Sequence, residues 1–348
     1  SPMIEEIIEK LTKKNDLESD EINFVFASMM KGELPDSECK GFLLALNEKE
    51  PSPEEIYQAS SVLIDNLGYK SSQGHNLDII DLCGTGGDSK SSINVSTISS
   101  LILAALGVKV AKHGNRSVSS KVGSADLIEA FGINFDDSIE GSIESIKDRN
   151  LSFLYAPNFH KSMKHVAHIR KELKTRTIFN ILGPLVNPLR PKKQLLGVYD
   201  KRLMVPVANA LIKQGSERAL VVHGADGMDE ISNCAITYIV EVDNGRIKEY
   251  EISPNDLGYS NIGEGSNSVI DSVEQSKKVA LRILSGNLHP DNTSGSDTDS
   301  DRIIIQMNAG AALYIYGQAD SIEEGCKIVE ASLSSGEIKK KLSEIINF

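Results

Sequence analysis

The chain changes its hydrophobic pattern once, near Leu77, and that change limits what it can fold into. Before it, Ile4, Ile7, Ile8 and Leu11 share one helical face. Ser52-Pro53-Glu54-Glu55 then offers an N-cap, a proline in the first turn and a capping-box acid ahead of a helix over Ile56–Leu67, with Gly68 placed to end it. No strand is readable in this part, so residues 3–68 read as a small helical unit. After it, strands and helices alternate: strand Leu77–Leu82, helix Val95–Leu106, strand Val108–Ala111, helices Ser124–Phe131 and Ile139–Arg149, strand Leu151–Ala156. Such an order implies an α/β unit with a mainly parallel, covered sheet whose loops are free for binding at the strand ends.

A helix over Lys161–Leu173 and a loop from Gly183-Pro184 to Asn187-Pro188 interrupt the alternation, which resumes with strands Gln194–Tyr199 and Ala219–His223. Cys234–Glu251 reads as a hairpin turning at Asp243-Asn244-Gly245, a sequence suited to a type I′ turn. Helices are expected near 271–285, 303–316, 321–333 and 337–346. The polar run Asn292–Asp301 is expected to be a mobile loop.

The strand at Leu77–Leu82 opens into Gly84-Thr85-Gly86-Gly87-Asp88, and the next opens into Lys112-His113-Gly114-Asn115-Arg116-Ser117-Val118-Ser119-Ser120. Glycine-rich turns at strand ends let backbone N–H groups converge on an anion, although many such turns only redirect the chain. Here Ser91, Ser92, Asn94, Ser96 and Thr97 follow, leading into an apolar helix. An ordinary N-cap accounts for one of these residues, not for five beside a glycine turn. Neither the dinucleotide Gly-x-Gly-x-x-Gly spacing nor the NTPase loop is present, which removes support for those ligands.

Asp229-Glu230 follows the strand Ala219–His223 and the turn Gly224–Gly227. Adjacent hard-oxygen side chains at a strand end suit Mg²⁺ shared with substrate phosphates, while a helix-start acid pair is the plainer alternative. Arg170 presents a planar fork able to hold a carboxylate. His165 and His168 lack a spaced acid or cysteine in sequence, which speaks against zinc. Lys112, Arg116, Lys121, Lys164, Arg170 and Arg176 could form a positive cleft; Lys121 and Lys164 read better as solvated cations, and Arg176 is open between the two. No nucleophilic triad is readable.

The chain has 348 residues, 40% of them hydrophobic, enough for a sizeable core and two domains. Its net charge of −12 argues against a nucleic-acid surface. No membrane-spanning run and no signal peptide are readable, so a cytoplasmic location without membrane contact is expected. Ser1-Pro2 ahead of Met3 reads as a tag remnant. Cys39, Cys83, Cys234 and Cys326 are single and widely spaced, fitting reduced thiols.

The blocks GTGGD (84–88), NVST (94–97), KHGNRSVSS (112–120), HIRKELKTRTIFNILGPLVNP (168–188) and VVHGADGMDEIS (221–232) arrive in order over most of the chain and resemble the anthranilate phosphoribosyltransferase family. The resemblance implies an N-terminal helical domain on an α/β domain of the nucleoside phosphorylase and phosphoribosyltransferase type, divided as 1–70 with 161–188 and 71–160 with 189–348. It also implies transfer of the phosphoribosyl group of 5-phosphoribosyl 1-pyrophosphate (PRPP) to anthranilate, in tryptophan biosynthesis. PRPP would be bound by Gly84, Thr85, Gly87, Asp88, Ser92, Asn94, Val95, Ser96, Thr97, Lys112 through Ser120 and Ser124. Anthranilate would lie against Gly84, Asn115, Arg170 and Gly183. Two Mg²⁺ ions would be held with Ser96, Asp229 and Glu230, and the molecule would be a homodimer. A pyrimidine nucleoside phosphorylase is a rival that carries a different second block, and a DNA-binding relative would show a basic surface and lack the substrate-holding residues.

Overall fold

The computed structural model describes residues 3–67, 75–86, 93–116, 122–260, 263, 267–287 and 299–348. Gly68, Gly87, Asp88, Ser91, Ser92, Ser117, Val118, Ser119, Ser120, Lys121 and positions 292–298 lie outside the described residues. The chain begins with helices α1 (Ile4–Thr12), α2 (Ser19–Met30), α3 (Asp36–Lys49) and α4 (Pro53–Asp65). The capping box at α4 forms as its sequence predicts, with the Glu55 N–H donating to Ser52 Oγ and the Ser52 N–H to the Glu55 side chain. The helix ends earlier than expected, at Asp65, with Asn66 as its C-cap.

The α/β part runs β1 (Ile80–Gly84), α5 (Val95–Ala105), β2 (Val110–Gly114), α6 (Ser124–Ala130), α7 (Ile139–Arg149), β3 (Leu151–Tyr155), α8 (Ala156–Phe159), α9 (Ala167–Leu173), α10 (Ile178–Leu182), β4 (Lys193–Gly197), α11 (Met204–Lys213) and β5 (Arg218–Gly224). The hairpin β6 (Thr237–Asp243) and β7 (Arg246–Ile252) follows, then α12 (Val273–Leu284), α13 (Ser300–Tyr316), α14 (Ile322–Ser334) and α15 (Glu337–Leu342). The hairpin turns where expected, at Asn244 (φ 47°) and Gly245 (φ 85°), as a type I′ turn requires.

Among the described residues the strands form a seven-stranded sheet in the order β3-β2-β1-β4-β5-β6-β7, parallel from β3 to β5 and antiparallel beyond. Successive strand residues point to opposite faces, so two cores form. Ile79, Cys83, Ala111, Leu154, Leu196 and Val221 pack with the N-terminal helices, whereas Ile80, Leu82, Val110, Phe153, Leu195 and Leu220 pack with α5, α6 and the C-terminal helices. The strand order reverses beside β1, the kind of switch point where open α/β sheets bind ligands at their carboxyl ends.

Two expectations are corrected. Lys161–Leu173 is not one helix: a 3-10 turn over Lys161–His165 is broken from α9 at Val166 (φ −116°, ψ −3°). Ser300 and Asp301, assigned to a mobile loop, are buried in the first turn of α13. Helices α9 and α10 contact α3 and α4, so the 161–188 segment returns to the N-terminal helices. Cys39, Cys83 and Cys326 are buried free thiols, and Cys234 is partly exposed.

Candidate active site

Strands β1, β2, β4 and β5 each end on a glycine: Gly84, Gly114, Gly197 and Gly224. Gly84 and Gly197 are partners across the sheet, and together they seat Asp229. A Cβ on Gly197 would overlap the Asp229 backbone carbonyl, and one on Gly84 would overlap the Asp229 carboxylate. The acid loop can therefore lie directly on the carboxyl edge of the sheet. Gly86 turns through φ +69° and donates its N–H to Asp229 Oδ2 at 3.0 Å, which joins the glycine turn to the acid pair. Thr85 fastens the turn to β4: its N–H donates to Gly197 O (2.9 Å), and its hydroxyl accepts from the Tyr199 N–H (3.0 Å). Asp229 and Glu230 are half-buried in irregular chain between β5 and β6, so they do not start a helix.

On α5, Ser96 is half-exposed while Val95 and Thr97 are buried. Asn94 stands at the helix N-cap position, but its side chain works elsewhere: Nδ2 donates to Val122 O (2.9 Å) and Oδ1 accepts from the Ser276 hydroxyl (3.0 Å). Asn94 thus ties α5 to the chain before α6 and to α12.

At the end of β2, Lys112 is buried and donates to His113 O (3.1 Å). Ser124 donates to Asn115 O (3.3 Å), and a Cβ on Gly114 would overlap the Ser124 hydroxyl, so the second glycine also permits a close approach. The cations that could form a positive cleft have different partners. Arg116 pairs with Asp126 (3.2 Å) and Glu129 (2.6 Å), a partnership that raises its pKa, and lies 5.5 Å from the Tyr155 ring. Arg176 stacks on Tyr199 at 4.3 Å, and Lys164 borders a separate cavity of about 250 Å³ with His165, His168 and Asp36. His168 Nε2 lies 3.0 Å from Asp36 Oδ2, yet among the described residues no group of three His, Cys, Asp or Glu side chains could hold a metal.

The other side of the site is assembled from distant residues. His160, which follows α8, lies against His113 with ring centroids 5.2 Å apart, and its Nε2–H donates to Val186 O at 3.0 Å. Burial lowers the His160 pKa to about 4, and burial, His160 and Lys112 in turn hold His113 well below the usual imidazole range. Both rings are neutral at pH 7. Gly183 is exposed. Asn187 latches this segment to the sheet by donating to Asp81 Oδ2 (2.9 Å) and Ala111 O (2.9 Å). Asp81 is fully buried, and desolvation raises its pKa against the opposing pull of Lys112 and Asn187. Sequence reasoning missed Asp81, Asn187, His160 and Gly197; an acid inside the apolar run Ile79–Cys83 was the one available signal.

Arg170 is half-buried on α9, its guanidinium 5.6 Å from the Phe179 ring centroid, and burial lowers its pKa. Among the described residues no ion pair of Arg170 with a carboxylate is found, and its guanidinium is a partly desolvated cation.

The chain matches a glycosyl transferase family a/b domain over residues 76–339 and the same family's helical bundle domain over residues 5–66. It is 40% identical to the anthranilate phosphoribosyltransferase of Petrotoga mobilis over 98% of this chain and 95% of that protein. Among solved structures, the Thermus thermophilus anthranilate phosphoribosyltransferase aligns with a TM-score of 0.85 and 34% identity, covering 97% of each chain. The Saccharomyces cerevisiae enzyme in complex with PRPP and Mg aligns with a TM-score of 0.82 and 26% identity, covering 99% of this chain and 96% of that one. With the helical and α/β parts both matched and the glycine turns, acid pair and Arg170 helix carried on them, the chain belongs to the anthranilate phosphoribosyltransferase family.

Proposed function

We propose that this chain transfers the phosphoribosyl group of PRPP to the amino group of anthranilate, releasing pyrophosphate. The observation that carries the reading is the glycine turn joined to Asp229 on the sheet edge, with the Gly86 N–H on the Asp229 carboxylate at 3.0 Å; the half-buried Arg170 guanidinium, 5.6 Å from the Phe179 ring centroid, supplies a cation for the second substrate. Family membership supports it, as does the yeast relative's complex with PRPP and Mg.

In this reading Gly84, Thr85, Gly87, Asp88 and Ser92, the α5 start at Asn94–Thr97, the segment Lys112–Ser120 and Ser124 receive PRPP. Gly84, Asn115, Arg170 and Gly183 receive anthranilate. Asp229 and Glu230, with Ser96, hold Mg²⁺ together with the diphosphate. The donor set fits that ion, since two adjacent carboxylates without a full protein cage suit Mg²⁺ that keeps waters and phosphate oxygens. Two ions are expected, and when bound they would supply charge stabilisation for the departing diphosphate.

The side chains need only position and polarise. The aryl amine is neutral near pH 7 and can attack without prior deprotonation; the N–H proton it loses as the new C–N bond forms passes to solvent or to the departing diphosphate, and no side chain is assigned as general base. Arg170 orients the carboxylate so that the amine faces the anomeric carbon, while loop N–H groups and Lys112 answer charge growing on the leaving group.

The reading carries with it a division into 1–70 with 161–188 and 71–160 with 189–348, supported by the contacts of α9 and α10 with α3 and α4. A homodimer in the cytoplasm is part of it too. No helix among the described residues is long and apolar enough to cross a membrane, and the net charge of −12 opposes nucleic-acid binding. The test is a fluorescence assay: anthranilate emission should fall only when PRPP and Mg²⁺ are both added. Persistence of the emission in their presence would overturn the reading.

A further inference from the structure

Helix α13 is buried along nearly its whole length, so a polar side chain on it must find partners inside the protein. Asn308, 3% exposed, finds them mainly in one residue of the acid loop. Its Oδ1 accepts from the Ile231 N–H (3.0 Å) and its Nδ2 donates to Ile231 O (3.0 Å), with a further bond to Ile304 O (2.9 Å). A carboxamide that exchanges both bonds with a single backbone residue acts like a neighbouring strand and fixes that residue's position and rotation. Ile231, itself fully buried, directly follows Glu230.

The acid pair is thus held from two sides. Gly84 and Gly197 seat Asp229 from the sheet, and Asn308 grips the chain one residue beyond Glu230 from the helix. The Ser232 N–H, donating to Thr237 Oγ1 at 2.8 Å, continues the restraint toward β6.

We propose that Asn308 is a positioning residue for the Asp229–Glu230 carboxylates, setting the affinity of the site for its divalent ion without touching substrate. The proposal rests on the reading of that pair as the metal site. A core asparagine with only a packing role would affect stability and leave ion affinity alone; an orienting residue weakens ion binding even in a folded protein.

The experiment compares Asn308→Ala, Asn308→Asp and the double variant Asp229→Asn with Glu230→Gln. Asn308→Asp keeps the shape and the acceptor for Ile231 N–H but loses the donor to the two carbonyls, so it serves if Asn308→Ala does not fold. Mn²⁺ is titrated into each folded protein with PRPP present and free ion is read by electron paramagnetic resonance, alongside the Mg²⁺ dependence of turnover and the anthranilate KM. The expected result is roughly tenfold weaker Mn²⁺ binding in the Asn308 variants, as for other residues that orient ligands. The half-saturating Mg²⁺ concentration should rise in step, with the anthranilate KM unchanged. If the double variant loses Mn²⁺ affinity while a folded Asn308 variant keeps it, the positioning role is wrong and the metal reading stands. If the double variant binds Mn²⁺ as the unmodified protein does, the metal reading fails and takes this inference with it. Loss of the fold in both Asn308 variants would make the residue a core element only, and would also overturn the proposal.

Discussion

Around Gly84–Gly86 the contacts that shape the site are made largely by backbone, whereas around His160 and Asn187 they are made by side chains that reach residues distant in sequence. The Thr85 N–H meets Gly197 O and the Gly86 N–H meets Asp229, on seats that exist because two glycines lack a Cβ. On the other side, His160 reaches Val186 across 26 residues and Asn187 reaches Asp81 across 106. A half-site of backbone and glycine fails when a side chain is added. One of assembled side chains can be weakened by degrees, and it titrates.

The largest effect should come from Gly86→Val. Valine at φ +69° is strained by about 1–3 kcal/mol, and relief of that strain would pull the turn N–H away from Asp229. Calorimetry should find PRPP binding lost while anthranilate contacts survive. Normal PRPP binding in a folded variant would show the turn to be architectural and break the contrast between the halves.

Next in size is the double variant Asp229→Asn with Glu230→Gln, which keeps the shape and removes the charge. Mg²⁺ affinity should fall by roughly a hundredfold or more, since outer partners of such ions already account for 10- to 100-fold. Activity measured against Mg²⁺ concentration reads it directly. An unchanged profile at full activity would remove both residues from the metal site.

The assembled half should respond to pH. Unfolded His160 takes up its proton near pH 6.5, and the buried ring does so only at about 4. Between those values the unfolded chain binds more protons, so stability rises with pH and is lost as the pH falls from 6.5 toward 4, by up to about 3 kcal/mol for this group. Denaturant melts of His160→Asn should show a flatter dependence over that window. Parallel curves for the variant and the unmodified chain would mean that the ring is not the source.

What was legible in the sequence follows the same contrast. The glycine turns, the α4 capping box and the hairpin at Asn244-Gly245 are local rules of backbone and side-chain geometry, and each could be read from a few adjacent residues. The break of the 161–173 helix at Val166 could not, because no glycine or proline marks it. Ser300 and Asp301 were misassigned for a similar reason: a polar composition hid a helix start whose Asp301 bonds the Ser268 N–H at 2.9 Å. Asp81 stands out only as an acid inside an apolar run and Asn187 not at all, and their meaning lies in a contact that only the fold creates. The pairing of Arg116 with Asp126 and Glu129 on α6 was not legible either, because the proximity of these partners depends on how β2 and α6 pack.

The central claim, that one half of the site takes the phosphoribosyl donor and the other the aromatic acid, is tested most directly by the two KM values of Arg170 variants. Arg170→Ala and Arg170→Lys should each lose roughly 1.5–3 kcal/mol of interaction with the anthranilate carboxylate, since lysine cannot reproduce the planar fork. The anthranilate KM should therefore rise about ten- to a hundredfold while the KM for PRPP stays where it was. An unchanged anthranilate KM, or a rise confined to PRPP, would contradict the account.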